Sequence, residues 1–167
     1  MIVIIGNIIA LIGSLLMIYA GIIKEKKGIL VVQSLQIAMF AISNLVLNGI
    51  SGFIINTINF IRNIICYKEV LNTKVKILLS IISIVLTIYF NNLGLIGYLP
   101  LLSGLIYLWF MTVKDVIKFK ILIIISVIFW LIYDFTIQSY TASIFDLITI
   151  IVSSISVIKL KKWKRRY

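Results

Sequence analysis

Histidine is absent from the 167-residue chain, cysteine occurs once, at Cys66, and proline once, at Pro100. Without histidine the commonest general acid/base and zinc ligand is missing, and a lone cysteine excludes an intrachain disulfide and a Cys-rich metal site. The chain is therefore expected to hold no catalytic residue, no metal and no cofactor. Acidic residues are scarce too, 5 against 16 Lys and Arg for a net charge of +11, and charged residues make up only 13% of the chain. What is present is hydrocarbon: 62% of the residues are hydrophobic, where a soluble domain has about 45 to 50%. The uncharged runs are long enough to cross a hydrocarbon layer ~30 Å thick as helices of roughly 20 residues, and no room is left for a separate soluble catalytic domain. The Lys and Arg sit in short clusters between apolar runs, the pattern of membrane topology and not of nucleic-acid binding.

With charges and turn residues read as punctuation, the apolar spans are 2–23, 29–47, 52–67, 76–91, 94–113, 119–137 and 141–158, the third and fourth being short. The first lacks a basic lead and a small-residue cleavage site before Lys24-Glu25-Lys26-Lys27, so it reads as a retained helix and not a signal peptide. Lys residues fill the first, third and fifth connections and the tail from Lys159 to Arg166, while Asn48 to Ser51, Asn91 to Leu93 and Gln138 to Tyr140 carry no charge. By the positive-inside rule, seven spans place the N-terminus outside and the C-terminus in the cytoplasm. Six spans would need residues 29–67 to contain one apolar helix of ~38 residues, ~57 Å long at 1.5 Å per residue, nearly twice the core thickness.

Sliding the chain on itself by 90 residues aligns the second and third spans with the sixth and seventh without a gap. Gln36 meets Ser126, Phe40 meets Trp130, Asn44 meets Asp134, Asn48 meets Gln138 and Asn56 meets Asp146. The fold class expected is an all-α integral membrane protein of seven transmembrane helices. They would form two parallel three-helix bundles, residues 1–68 and 93–158, joined by a linker helix within 69–92 and followed by a basic cytoplasmic tail, 159–167.

In a bilayer a polar side chain needs a reason, so its helical phase carries information. Gly52, Asn56, Asn59 and Asn63 recur on one helix face, and the copy reads Ala142, Asp146, Thr149, Ser153. Gln36, Phe40, Asn44 and Asn48 form a second stripe, repeated as Ser126, Trp130, Asp134 and Gln138. Such stripes serve helix packing, where interhelical hydrogen bonds contribute only ~0.6 to 2 kcal/mol each. A polar stripe with an aromatic platform also suits a small polar solute. Asn44 and Asn56 each lie six residues from Ile50 in one turn, and Asp134 and Asp146 six from Tyr140 in the other, so all four sit ~9 Å along their helices at one level of the outer half. No Lys or Arg is available at that level to pair with the two acids, which leaves protonation, a bound cation, or a cationic or hydroxyl-rich ligand. Arg62 is expected to snorkel to the inner headgroups, or else to act as an inner gate or an anchor for an anionic group. Pro100, inside the fifth span, is expected to kink it, with a hinge as one consequence. The basic tail, with Trp163 inside it, reads as an anionic-lipid and topology anchor.

Trp130-Leu-Ile-Tyr133-Asp134, followed twelve residues later by Asp146, together with Asn59-Phe-Ile-Arg62 and Tyr98-Leu-Pro100-Leu-Leu-Ser-Gly104, resembles the YgjV-type bacterial inner membrane proteins over nearly the whole chain. The resemblance implies the bacterial cytoplasmic (inner) membrane and kinship with the SWEET, PQ-loop and PnuC three-helix-bundle transporters, which hold substrate between two bundles. The chain departs from that pattern in having no Pro-Gln dipeptide and a single proline, in Tyr133-Asp134 where His-Asn is usual, and in Ser156-Val-Ile-Lys159 for Asn-x-x-Arg.

The leading expectation is a small-solute transporter. Its substrate-binding residues would be Asn44, Asn56, Asp134 and Asp146, flanked by Phe40, Trp130, Asn59 and Tyr133, with Asp134 or Asp146 as coupling or cation site. Its partners would be the lipid bilayer and a small polar or cationic solute, with a homo-oligomer left open and nucleic acid excluded. The alternative is a non-transporting membrane accessory or interaction subunit, whose polar stripes only pack. An intramembrane enzyme built on an Asp134/Asp146 pair is disfavoured, because His, a metal cluster and a phosphate-binding Gly loop are all missing.

Overall fold

A computed structural model describes residues 1–22, 26–110 and 115–164. The described residues form seven α-helices and no strand: α1 (Ile2–Ile22), α2 (Lys26–Val46), α3 (Ile50–Tyr67), α4 (Thr73–Phe90), α5 (Leu99–Phe110), α6 (Val116–Thr136) and α7 (Tyr140–Lys164), with a 3-10 turn at Ile96–Tyr98. Lys24, Glu25, Lys114, Arg165 and Arg166, part of the basic connections and tail, lie outside the described residues. Four of the helices are long and apolar enough to cross a membrane by length and composition: Ile2–Ala20, Lys27–Val46, Thr73–Phe90 and Tyr140–Lys162. Their outward faces expose Ile, Leu and Val, as at Ile4, Ile8, Leu78, Val85, Ile144 and Ile151, which costs nothing where the surrounding solvent is hydrocarbon.

The helix boundaries follow local chemistry. Asn72 accepts a hydrogen bond from Val75 N–H to start α4, and Asp115 accepts from Ile117 and Lys118 N–H to start α6. The α2–α3 and α6–α7 corners are built alike, bond for bond. At the first, Asn48 takes a left-handed conformation (φ 60°), its N–H donates to Leu45 O, and Gly49 N–H donates to Asn44 O. At the second, Gln138 (φ 62°) donates to Phe135 O and Ser139 to Asp134 O. Each is a left-handed helix end whose paired bonds satisfy carbonyls the helix leaves orphaned. Every member of the second set lies 90 residues after its counterpart in the first.

Six of the helices close a ring in the order α1, α2, α3, α5, α6, α7 and back to α1, while α4 lies outside it, packed on α3 and α5. Apolar contacts among Ile54, Ile58, Leu79 and Leu108 fasten α4 to α3 and α5. Where α5 crosses α3, Gly104 makes the approach possible, since a Cβ there would stand 2.9 Å from the Ile55 side chain.

The kink expected within the fifth span is not found. Pro100 does not kink a continuous fifth helix: it is the second residue of α5, directly after the 3-10 turn, and is buried. In a first turn the backbone N–H has no intrahelical acceptor, so proline costs nothing there and pre-sets the helical φ.

Candidate functional site: a polar cavity inside the helix ring

All six ring helices, and not α4, line a cavity of about 510 Å³, within the range of about 300 to 1,000 Å³ common for small-molecule sites. Its walls repeat at the 90-residue interval: Gln36 and Ser126, Phe40 and Trp130, Asn44 and Asp134, Asn56 and Asp146, Asn59 and Thr149 all face it. Of the eight residues expected to contact a solute, seven are thus brought together on one surface, because the two stripes on each side of a corner face each other once the chain folds back.

The eighth, Tyr133, is elsewhere. It is completely buried and its hydroxyl accepts a hydrogen bond from Gly52 N–H at 2.8 Å. Gly49 caps α3 with no side chain, so Tyr133 of α6 supplies the acceptor that the first turn of α3 lacks. The fit is close: a Cβ at Gly52 would lie 2.5 Å from Asn44 Nδ2 and 2.6 Å from the Tyr133 ring. Tyr133 is therefore a packing and capping residue between the two sides of the ring. The small-residue turn at Gly49 to Gly52 was the only sequence signal for a close approach, and it did not say by which residue.

Around Tyr133 the corner end is tied shut. Asn7 of α1 donates to Gln138 O and accepts from Thr141 N–H, each at 2.8 Å, and so caps α7. Asn92 donates to Asn48 O at 2.8 Å, the same bond made 90 residues earlier in the turn. Leu47, Tyr133 and Ile137 pack beneath these bonds as a buried apolar cluster. Asn7 and Asn92 escaped the sequence reading, since a single Asn in an uncharged segment carries no periodic signal.

Depth along the cavity follows from residue counts. Asn44, Asn56, Asp134 and Asp146 form the layer nearest the corners. Phe40 and Trp130, each ten residues from a corner, come next, ~15 Å along their helices. Arg62 and Tyr107 stand further on, toward the end where the basic clusters lie. Ser103 and Ser126 also line the cavity, and their hydroxyls share a hydrogen bond of 2.6 Å.

Arg62 does not snorkel to the headgroups. It is 3% exposed and lines the cavity. Its Nη1 donates to Asn59 Oδ1 at 2.9 Å, its Nη2 and Nε donate to Asn63 Oδ1 at 2.9 and 3.3 Å, and its guanidinium lies 4.8 Å from the centre of the Tyr107 ring. An amide on each side and an aromatic face hold the planar group inward, and the short turn-to-turn spacing of Asn59 and Asn63 sets that direction. No carboxylate among the described residues pairs with it; the one salt bridge there is Lys27 to Glu69, at the exposed surface.

The acids at the other end are equally without countercharge. Neither the Asp134 nor the Asp146 carboxyl group forms a hydrogen bond or ion pair with a described residue, and Asp146 Oδ2 and Asn44 Nδ2 are buried with no partner. Buried polar groups are ordinarily paired, so both ends of the cavity offer bonding capacity that the protein itself does not use. No group of three or more metal-ligating side chains occurs among the described residues.

A ring of apolar-coated helices around an interior of amides, acids and one arginine defines a multi-pass membrane protein with a polar internal cavity. Residues 4–164 match the model of the Imp-YgjV family, described as bacterial inner membrane protein, and the chain belongs to that family. No curated protein and no solved structure matches it.

Proposed function

We propose that this protein is a small-solute transporter whose site is the cavity between two parallel three-helix bundles, residues 1–68 and 93–158, with the segment 69–92 as linker. One observation carries the reading: a cavity lined in pairs from both sides of the ring, with two acids at one end and a guanidinium at the other that find no countercharge among the described residues. Carboxyl groups that only packed helices would be paired with a neighbouring side chain, and these two are not.

In this reading all seven helices cross the membrane, the N-terminus lies outside, and the Lys-rich end faces the cytoplasm. A pseudo-twofold axis along the membrane normal relates the bundles, in keeping with the SWEET, PQ-loop and PnuC transporters that the residues resemble. Transport proceeds by movement of one bundle against the other. The bonds from Tyr133 to Gly52 and from Asn7 to Gln138 and Thr141 join the two bundles at the corner end, and they are the ones that break when the site opens outward. Asp134 or Asp146 couples the step to a proton or Na⁺. The role is that of a carrier and not of a catalyst.

The test is thermal stability of the purified protein in detergent against sugars, nucleosides, vitamins, amino acids, polyamines and alkali cations, with Asp134→Asn and Asp146→Asn alongside. A ligand that binds only the folded state raises stability with concentration. A dose-dependent shift lost in either variant is expected. A flat panel would transfer the reading to a membrane accessory subunit, recognised by a stoichiometric partner that is lost when residues 159–167 are deleted.

A further inference from the structure

The two ends of the cavity are chemically opposite. At the corner end stand Asp134 and Asp146 with Asn44 and Asn56; beyond the Phe40 and Trp130 layer stands Arg62. Arg62 lies six residues beyond Asn56 on α3, so the ends are ~9 Å apart along the helix. A guanidinium carries five N–H donors and stays protonated. Asn59 and Asn63 take up three of the five, and both acceptors are neutral amides, which leave its charge uncompensated. Between the ends the wall carries the Phe40 and Trp130 rings, with Asn59 and Thr149 at nearly the same depth.

Resting on the solute-site reading above, we infer that the solute is dipolar. Its oxyanion, a carboxylate or a phosphate, is held by Arg62 over Tyr107. Its carbon skeleton lies between Phe40 and Trp130, and its amine lies against Asp134 and Asp146. An oxyanion matches the planar fork of the guanidinium and supplies the countercharge it lacks. An ammonium, with three donors and no acceptor, suits a pair of carboxyl groups beside amide oxygens. Neither half of such a ligand alone neutralises both ends.

The experiment is a melting-temperature titration of the detergent-purified full chain. The probes are 4-aminobutyrate, 6-aminohexanoate, 8-aminooctanoate and O-phosphoethanolamine, with hexanoate and hexylamine as the two halves. A dipolar probe is expected to raise the melting temperature in a dose-dependent way, with one chain length best and the halves at least tenfold weaker in apparent affinity. The best arm tells carboxylate from phosphate.

Arg62→Gln should abolish the effect. Because that variant can misfold, Asn59→Asp is the second: it places a carboxylate 2.9 Å from Arg62 Nη1, at the position of the present Asn59 Oδ1. It should raise the melting temperature without probe and remove the shift with it, whereas a merely structural Arg62 would leave the shift unchanged. If hexylamine alone matches the dipolar probes and Asn59→Asp leaves its effect intact, the dipolar inference is overturned while a solute site survives. If hexanoate alone matches them, the amine half is overturned. If no probe and no member of the wider solute panel shifts the wild-type protein, the inference and the transporter reading fall together.

Discussion

Positions 44, 56 and 62 in the first side of the ring are Asn, Asn and Arg; 90 residues further on they are Asp, Asp and Val. The corners on the two sides share left-handed residues, helix-end hydrogen bonds and the facing of Phe40 and Trp130 into one cavity. Yet Arg62 is 3% exposed against 60% for Val152. A second divergence is at the pair Ser43 and Tyr133: the serine bonds to Gly6 O inside its own side, while the tyrosine reaches across to Gly52 N–H. Backbone geometry is thus held by a turn that any copy of the unit must make, and the chemistry facing the cavity is free to differ. The acids sit on one side and the cation on the other, which gives a pseudo-symmetric cavity a direction.

The largest expected effect comes from erasing that difference. Asp134→Asn and Asp146→Asn copy the first side onto the second and should each stabilise the protein, by up to about 2.5–3.5 kcal/mol if the carboxylate is fully charged at that depth. Denaturant titration in mixed micelles measures it, and a loss of stability in both variants would break the comparison.

Next is the close approach. Gly52→Ala should cost about 1–3 kcal/mol, because Asn44 and Tyr133 occupy the place of its Cβ. Ala142→Gly at the matching position should cost only about 0.5–1 kcal/mol, the ordinary penalty of glycine in a helix. Equal costs would mean that the corners are packed alike.

Tyr133→Phe leaves the buried Gly52 N–H without its acceptor and should cost about 1–3 kcal/mol, and Asn7→Ala, which uncaps α7, about 0.5–2 kcal/mol. In transport both should speed outward opening if these bonds form the closure, and rates in proteoliposomes would show it once a solute is known. The smallest effect belongs to Ser103→Ala, about 0.5–1.5 kcal/mol. Combined with Ser126→Ala it should be less than additive, since the two hydroxyls share one bond.

Much of the frame was legible in the residues. Helix ends at Val46 and Thr136 follow from the uncharged turns at Asn48 and Gln138, and the cavity stripes follow from i, i+4 spacing, which places side chains on one face whatever the helix meets. Asn44, Asn56, Asp134 and Asp146 share a level because they are equally far from their corners. Other matters needed the neighbours. Local spacing cannot say that Arg62 turns inward, because its long stem reaches either the headgroups or the cavity, and two amides and Tyr107 decide between them. Nor can it say that Tyr133 caps a helix 81 residues away, that Asn7 clamps the far corner, or that Pro100 starts a helix after a 3-10 turn. The sequence alone determined the helices, the corners and which faces are polar, since these depend on residues within a turn or two of each other. Only the tertiary structure decided which faces close into a ring, which leave α4 outside, and which polar groups find partners, because those depend on contacts between segments that no local period encodes.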